Sequence, residues 1–270
     1  MDIFLQPDTW VALLTLTFLE IILGIDNIIF ISLTTNKLPK ESQRKATNIG
    51  LLLAMVFRIL LLLGVSYLIS LKNPFFHINL SWISADLTGQ SLILVAGGIF
   101  LLYKSTSEIH QKMEGENDEI TKAKKVTTSF FKVIVQIILI DLVFSFDSVL
   151  TAVGMTNGIN GALPIMVIAV VISILIMMIF ANPVSTFVNN HPTIQMLALS
   201  FLILIGFMLI TEGAHLSNTV VFKQNIGAIP KGYLYFAIAF SLGVEALKIF
   251  KYFLTFICKV FSYFVEIETK

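Results

Sequence analysis

Cysteine, charge and basic leader residues are what this 270-residue chain has least of. Its one cysteine, Cys258, excludes an internal disulfide and any thiolate metal cluster, and is expected to be a buried apolar thiol near the end of the last helix. Only 13% of residues are charged while 56% are hydrophobic, and the mean hydropathy of +0.89 excludes an ordinary soluble domain. No Lys or Arg precedes the first apolar run, so a cleaved signal peptide is not expected and the first helix stays in the protein. None of the four histidines, His77, His110, His191 and His215, stands in a motif; all lie in or next to loops. The net charge of +1 says little about partners; the lipid bilayer is the expected surroundings, and no nucleic-acid partner is expected.

What is present is long apolar segments. They run at about Trp10 to Leu33, Asn48 to Leu71, Leu87 to Tyr103, Phe130 to Val153, Leu163 to Ala181, Ile194 to Thr211 and Gly232 to Phe256. Each is near the ~20 residues that cross the hydrocarbon core, so the expected fold class is all-α, a polytopic membrane protein of about seven transmembrane helices. Pro7, Pro74, Pro164, Pro183, Pro192 and Pro230 are placed at or outside helix ends, leaving no span interrupted. Lys37, Lys40, Arg44 and Lys45 follow the first run, six lysines from Lys104 to Lys132 follow the third, and Lys248, Lys251, Lys259 and Lys270 end the chain. The alternate loops hold only Lys72, Lys223 and Lys231, so the N-terminus is expected outside and the C-terminus in the cytoplasm.

Charge inside the spans is rarer still, and it is patterned. The first run contains Phe18-Leu-Glu-Ile-Ile-Leu-Gly-Ile-Asp-Asn-Ile-Ile-Phe30; about 120 residues later comes Leu139-Ile-Asp-Leu-Val-Phe-Ser-Phe-Asp-Ser-Val-Leu150. Glu20, Asp26 and Asn27 thus repeat as Asp141, Asp147 and Ser148. Four unpartnered carboxylates in a bilayer would cost on the order of 10 kcal/mol, so something must face them. A weaker match aligns Gly97-Gly-Ile-Phe-Leu-Leu-Tyr-Lys104 with Ile205-Gly-Phe-Met-Leu-Ile-Thr-Glu212. Because three helices separate the copies, the second enters from the opposite side. The expected plan is an inverted repeat of helices 1–3 (residues 1–104) and 4–6 (129–212), a solvated cytoplasmic linker at 105–128, and an external loop, seventh helix and tail at 213–270.

At ~100° per residue, Glu20 and Asn27 share a helix face, as do Asp141 and Ser148, while Asp26 and Asp147 are offset by about 120°. A kink or a close helix contact at Gly24, matched by Ser145, would serve to gather them or to bring a neighbouring helix near. The candidate metal ligands are therefore Glu20, Asp26, Asn27, Asp141, Asp147 and Ser148. All offer oxygen, which suits Mg²⁺, Ca²⁺ or Mn²⁺ better than zinc or copper. Since metal ligands must be deprotonated, metal entry would expel protons, and metal–proton exchange is one energy source. Arg58 must pair with a carboxylate or snorkel. Lys104, Glu212 and Glu245 are further pathway or charge-pair candidates, Glu245 having Lys248 one turn away.

The two acid motifs, with Glu108-Ile-His110, Asn182-Pro183, His191-Pro192, Ile229-Pro-Lys-Gly-Tyr233 and Val244-Glu-Ala-Leu247, resemble the TerC family over nearly the whole chain. The resemblance implies a seven-helix bacterial inner-membrane protein related to LysE-like transporters, tied historically to tellurium resistance and linked mainly to manganese export. It carries the acidic motif roles onto the six residues above, and implies Mn²⁺ as cargo, no cofactor and no enzymatic activity. The segment from Gly213 to Ile229 is longer than the family's usual short link. Two other readings stand beside export. One is an assembly or metal-supply partner for exported proteins, or a homo-oligomer with that role. The other is an intramembrane aspartyl protease, disfavoured by Leu-Gly-Ile-Asp at Asp26 and Ser-Phe-Asp at Asp147 where Gly-x-Gly-Asp and Tyr-Asp would be needed, and by the unexplained Glu20 and Asp141.

Overall fold

A computed structural model describes residues 7–64, 67, 69, 71–80, 82–114, 129–156, 162–245, 247 and 248, apart from the side chains of Asp8, Ile25 and Asp26. The described helices are α1 (Pro7–Thr35), α2 (Lys40–Leu63), α3 (Gly89–Glu114), α4 (Phe130–Met155), α5 (Ala162–Asn190), α6 (Pro192–Leu216) and α7 (231–245). The chain divides into a compact unit spanning Met1–Ile229 and another spanning Pro230–Lys270. Helices α1 to α6 are 24 to 29 residues long and apolar enough to cross a membrane. A helix is the form such segments must take in lipid, because it satisfies its own backbone where no water is present. The all-α polytopic class expected from the apolar runs is the class observed. The seventh run is helical over 231–245; its end, Cys258 and most of the 105–128 linker lie outside the described residues.

Within the first unit the helices pair in a particular way. Helix α1 packs chiefly on α5, α4 chiefly on α2, and α3 on α6; lesser contacts join α3 to α4 and α1 to α6. Exchanging α1, α2, α3 for α4, α5, α6 maps each of these pairs onto another of them or onto itself. The α3–α6 crossing is tightest at Gly98 and Gly206, which occupy the same place in the internal alignment. A Cβ on Gly98 would come within 2.5 Å of the Gly206 carbonyl, and one on Gly206 within 2.9 Å of the Gly98 carbonyl. Small residues at both positions let the two backbones touch.

Four expectations need correction. First, residues read as loops form an antiparallel sheet. Strands β1 (Pro74–Asn79) and β2 (Ile83–Thr88) pair with β3 (Val220–Val221) and β4 (Gln224–Asn225) in the order β1-β2-β3-β4. The extra length between Gly213 and Ile229 is used here: α6 continues to Leu216, and the β3–β4 hairpin then turns through Phe222 and Lys223. Both have positive φ, 48° and 67°, as a two-residue turn between right-twisted strands requires. Second, Leu87 and Thr88 belong to β2 rather than the third helix, which starts at Gly89 and continues through Ser105 to Glu114. Third, Pro183 lies inside α5, removing one backbone rung from a span expected to be unbroken. The rung lost is the one to the Ile179 carbonyl; membrane helices tolerate such a proline inside a span. Fourth, α1 and α4 are helical throughout Gly24 and Ser145, so neither is unwound there. Gly24 instead makes the close helix contact: the place its Cβ would take is filled by the thioether of Met177 on α5.

A candidate ion site between the two acid motifs

The two motifs lie on neighbouring helices, and Arg58 of α2 joins them. Its Nη1 donates to Glu20 Oε2 on α1, its Nη2 to Asp141 Oδ1 on α4 at 2.9 Å, and its Nε to Ser145 Oγ at 2.8 Å. Ser145 Oγ in turn donates to Asp141 Oδ2 at 2.8 Å, and Asn27 Nδ2 donates to Asp141 Oδ1 at 3.1 Å. All of these residues are buried, with Glu20 3% and Arg58 2% exposed. A planar guanidinium with a fork of donors suits this task, since it reaches two carboxylates on different helices at once. Removal of either partner would leave charge stranded in a medium that solvates it poorly.

One polar atom here is unsatisfied. Asn27 Oδ1 is buried and has no hydrogen-bond partner, although its own amide nitrogen is engaged. Buried carbonyl oxygens are nearly always paired, so an orphan on a side chain bound to Asp141 is an acceptor suited to a cation. Among the described residues, Arg58 joins two acids, with a formal sum of −1 for the three when both acids are ionised. A small, mostly apolar pocket lined by Leu16, Leu62, Val149, Ala152 and Met166 has Glu20 in its wall and lies against the N-terminal half of α1 and the C-terminal half of α4.

The candidate residues fare unequally in this geometry. Arg58 and Asp141 link Glu20 and Asn27, which lie two turns apart on α1. Ser148 is buried but turned to its own helix, its Oγ donating to the Ser145 carbonyl at 3.3 Å. Asp147 is half-buried, and its backbone carbonyl accepts from Thr151 Oγ1 at 3.0 Å. Asp26 lies on α1, its side chain outside the described residues. Among the described residues no three of His, Cys, Asp and Glu are grouped closely enough to hold a metal. Of the other candidates, Glu212 is half-buried near the end of α6, and Glu245 takes Lys248 at 3.2 Å within its own helix.

Lys104 belongs to a second cluster, at the opposite end of the bundle from the pocket. Glu108 Oε1 accepts from Lys104 at 2.8 Å and from Lys37, just beyond α1, at 2.5 Å. One turn further along α3, Lys112 donates to Gln195 Oε1 at the start of α6, and Gln195 Nε2 donates to the Val188 carbonyl at 3.0 Å. Sequence reasoning missed this cluster. The (i, i+4) spacing of Lys104 and Glu108 was the one visible sign of it.

Six long apolar helices around a buried guanidinium and paired acids define a multi-pass integral membrane protein with a charged centre. The chain matches the family described as integral membrane protein TerC over residues 5–257, and it belongs to that family. It is 45% identical over 246 residues to the UPF0053 inner membrane protein YgdQ of Escherichia coli, covering 91% of this chain and 94% of that one. It is 42% identical to the UPF0053 inner membrane protein YoaE and to the UPF0053 protein YegH of the same organism, over 91% and 92% of this chain but only 43% of either relative. Those two proteins therefore carry this region with as much again beside it. No solved structure matches the chain.

Proposed function

We propose that the protein is a divalent-cation transporter of the bacterial inner membrane that exports Mn²⁺ in exchange for protons, rather than an enzyme. The observation that carries this reading is the meeting of two copies of one acid motif, from α1 and α4, at a buried centre with an unpaired carbonyl oxygen beside it. Buried ionisable groups at the junction of repeated helices are the usual makings of an ion site. The exchange symmetry of the helix pairs favours two halves that rock about that centre. Glu20, Asp26, Asn27, Asp141, Asp147 and Ser148 are assigned as the ligand set, used in different combinations as the halves move. Inner-membrane placement follows the names of the relatives. The N-terminus is assigned outside, because the Lys37–Lys104–Lys112 end is the lysine-rich one. Manganese follows the family resemblance; oxygen ligands alone also accept Mg²⁺ and Ca²⁺.

The deciding experiment is Mn²⁺ flux with a simultaneous pH readout, using purified protein in liposomes, with Asp147→Asn at equal incorporation and with Mg²⁺ and Ca²⁺ as competitors. Mn²⁺ movement mirrored by protons in the wild type and lost in the variant is the expected result. Folded wild-type protein that moves none of the three ions would remove the transport reading and favour a membrane assembly partner instead.

A further inference from the structure

The two halves of the centre are not filled alike. In the internal alignment Gly24 of α1 corresponds to Ser145 of α4, and the α1–α5 pair corresponds to the α4–α2 pair. What faces Gly24 from α5 is Met177, buried and uncharged; what faces Ser145 from α2 is Arg58. Met177 and Arg58 thus hold corresponding places, and helix packing at that place is met by an unbranched apolar chain. The guanidinium is there for its charge. It engages one acid from each motif, while Asn27, fixed to Asp141 through its nitrogen, presents an unpaired carbonyl oxygen to the same neighbourhood.

We infer that Arg58 is a built-in substitute for the transported cation: it holds Glu20 and Asp141 in the metal-free protein and must release at least one of them for a divalent ion to be bound. The inference rests on the transport reading and deepens it. Without a cation between them, two carboxylates would face each other in a low-dielectric interior. With Arg58 across them, the metal-free centre is satisfied. The metal then competes with a tethered charge, so Arg58 lowers apparent affinity and speeds release.

The test compares wild type, Arg58→Lys and Arg58→Met for Mn²⁺ binding in detergent, read by the electron paramagnetic resonance of free Mn²⁺, and for Mn²⁺ uptake kinetics in liposomes. A lysine keeps the charge but cannot fork across both acids, and methionine reproduces the residue at the corresponding place. Since a competitor reduces the competent fraction, each substitution is expected to tighten Mn²⁺ binding by about tenfold or more, lowering KM and the maximal rate together. Monodisperse variants that bind Mn²⁺ as the wild type does, or more weakly, would overturn the inference and leave Arg58 a structural tie. If Arg58→Met does not fold, Arg58→Lys decides alone. Wild-type protein that neither binds nor moves a divalent ion ends the transport reading and this inference with it, whereas normal wild-type flux with unchanged variant affinity ends only the inference.

Discussion

The protein contains two ionic clusters of opposite make-up, and their difference is instructive. The central one sets a single cation, Arg58, between two acids from α1 and α4, each of the three less than a tenth exposed. The one at the lysine-rich end sets a single acid, Glu108, between Lys37 and Lys104, whose side chains are 30% and 22% exposed. The excess of acids over bases is therefore buried, while the excess of bases over acids is partly exposed. An apolar packing in the centre would often be as stable or more so, and stability alone does not call for a buried excess of acid. The central cluster is thus the one whose composition asks for an additional cation, and the end cluster is a tie between helix ends.

The largest expected effect breaks the central cluster. Asp141→Asn would take a carboxylate from Arg58, from Ser145 and from Asn27 in one step, leaving the guanidinium with Glu20 and the Ser145 hydroxyl. Removing one partner of a buried ion pair costs roughly 3–5 kcal/mol, so thermal unfolding in detergent should move well below the wild type and transport should be lost. Asp141→Asn protein with wild-type stability would show that the burial of this cluster carries no energetic weight, and the contrast between the clusters would fail.

Much of this was legible beforehand, and the exceptions share a cause. The apolar runs announced the spans, and ~100° per residue put Glu20 with Asn27 and Asp141 with Ser148 on common faces before any contact was known. That Arg58 needs a carboxylate was likewise a matter of solvation. Its choice of two acids at once, one from each motif, was not legible, since that depends on how α2 lies against α1 and α4. Gly24 shows the same limit: a glycine is as suited to a bend as to a close approach, and Met177 of another helix decides between them. Strands β3 and β4 are two residues each, too short to show alternation; β2 offers β3 an edge, and β4 pairs with β3 across the hairpin.

A second prediction separates the clusters from one another. Gly98→Ala would drive a methyl into the Gly206 carbonyl, a backbone atom that cannot swing aside, at the crossing that holds α3 against α6. Overpacking of this kind costs about 1–3 kcal/mol. The helices that build the central cluster, α1, α2 and α4, do not pass through that crossing. Gly98→Ala should therefore lower the unfolding midpoint and loosen the Lys112–Gln195 contact, read as faster hydrogen exchange at the start of α6, while wild-type Mn²⁺ affinity is kept. Equal damage to affinity would mean that the two clusters are one mechanical unit.

The smallest effect is expected at Lys37. Its bond to Glu108 bridges the end of α1 and the side of α3, yet Lys37→Ala strands nothing, because Lys104 still holds Glu108 from the same helix. Partly exposed ion pairs contribute about 0–1 kcal/mol, and screening at physiological salt, with a Debye length near ~8 Å, weakens them further. The variant should therefore unfold close to the wild type at ordinary ionic strength and fall slightly below it at low salt. Its sharper readout is accessibility: if the end cluster is a tie between α1 and α3, loosening it should let a cysteine placed at Ser105, buried on the turn of α3 between Lys104 and Glu108, react faster with a water-soluble maleimide in a Cys258→Ala background. A loss of stability as large as that of Asp141→Asn would reverse the ranking, because a bridge that retains a lysine and reaches water would then be carrying as much energy as a guanidinium locked between two acids.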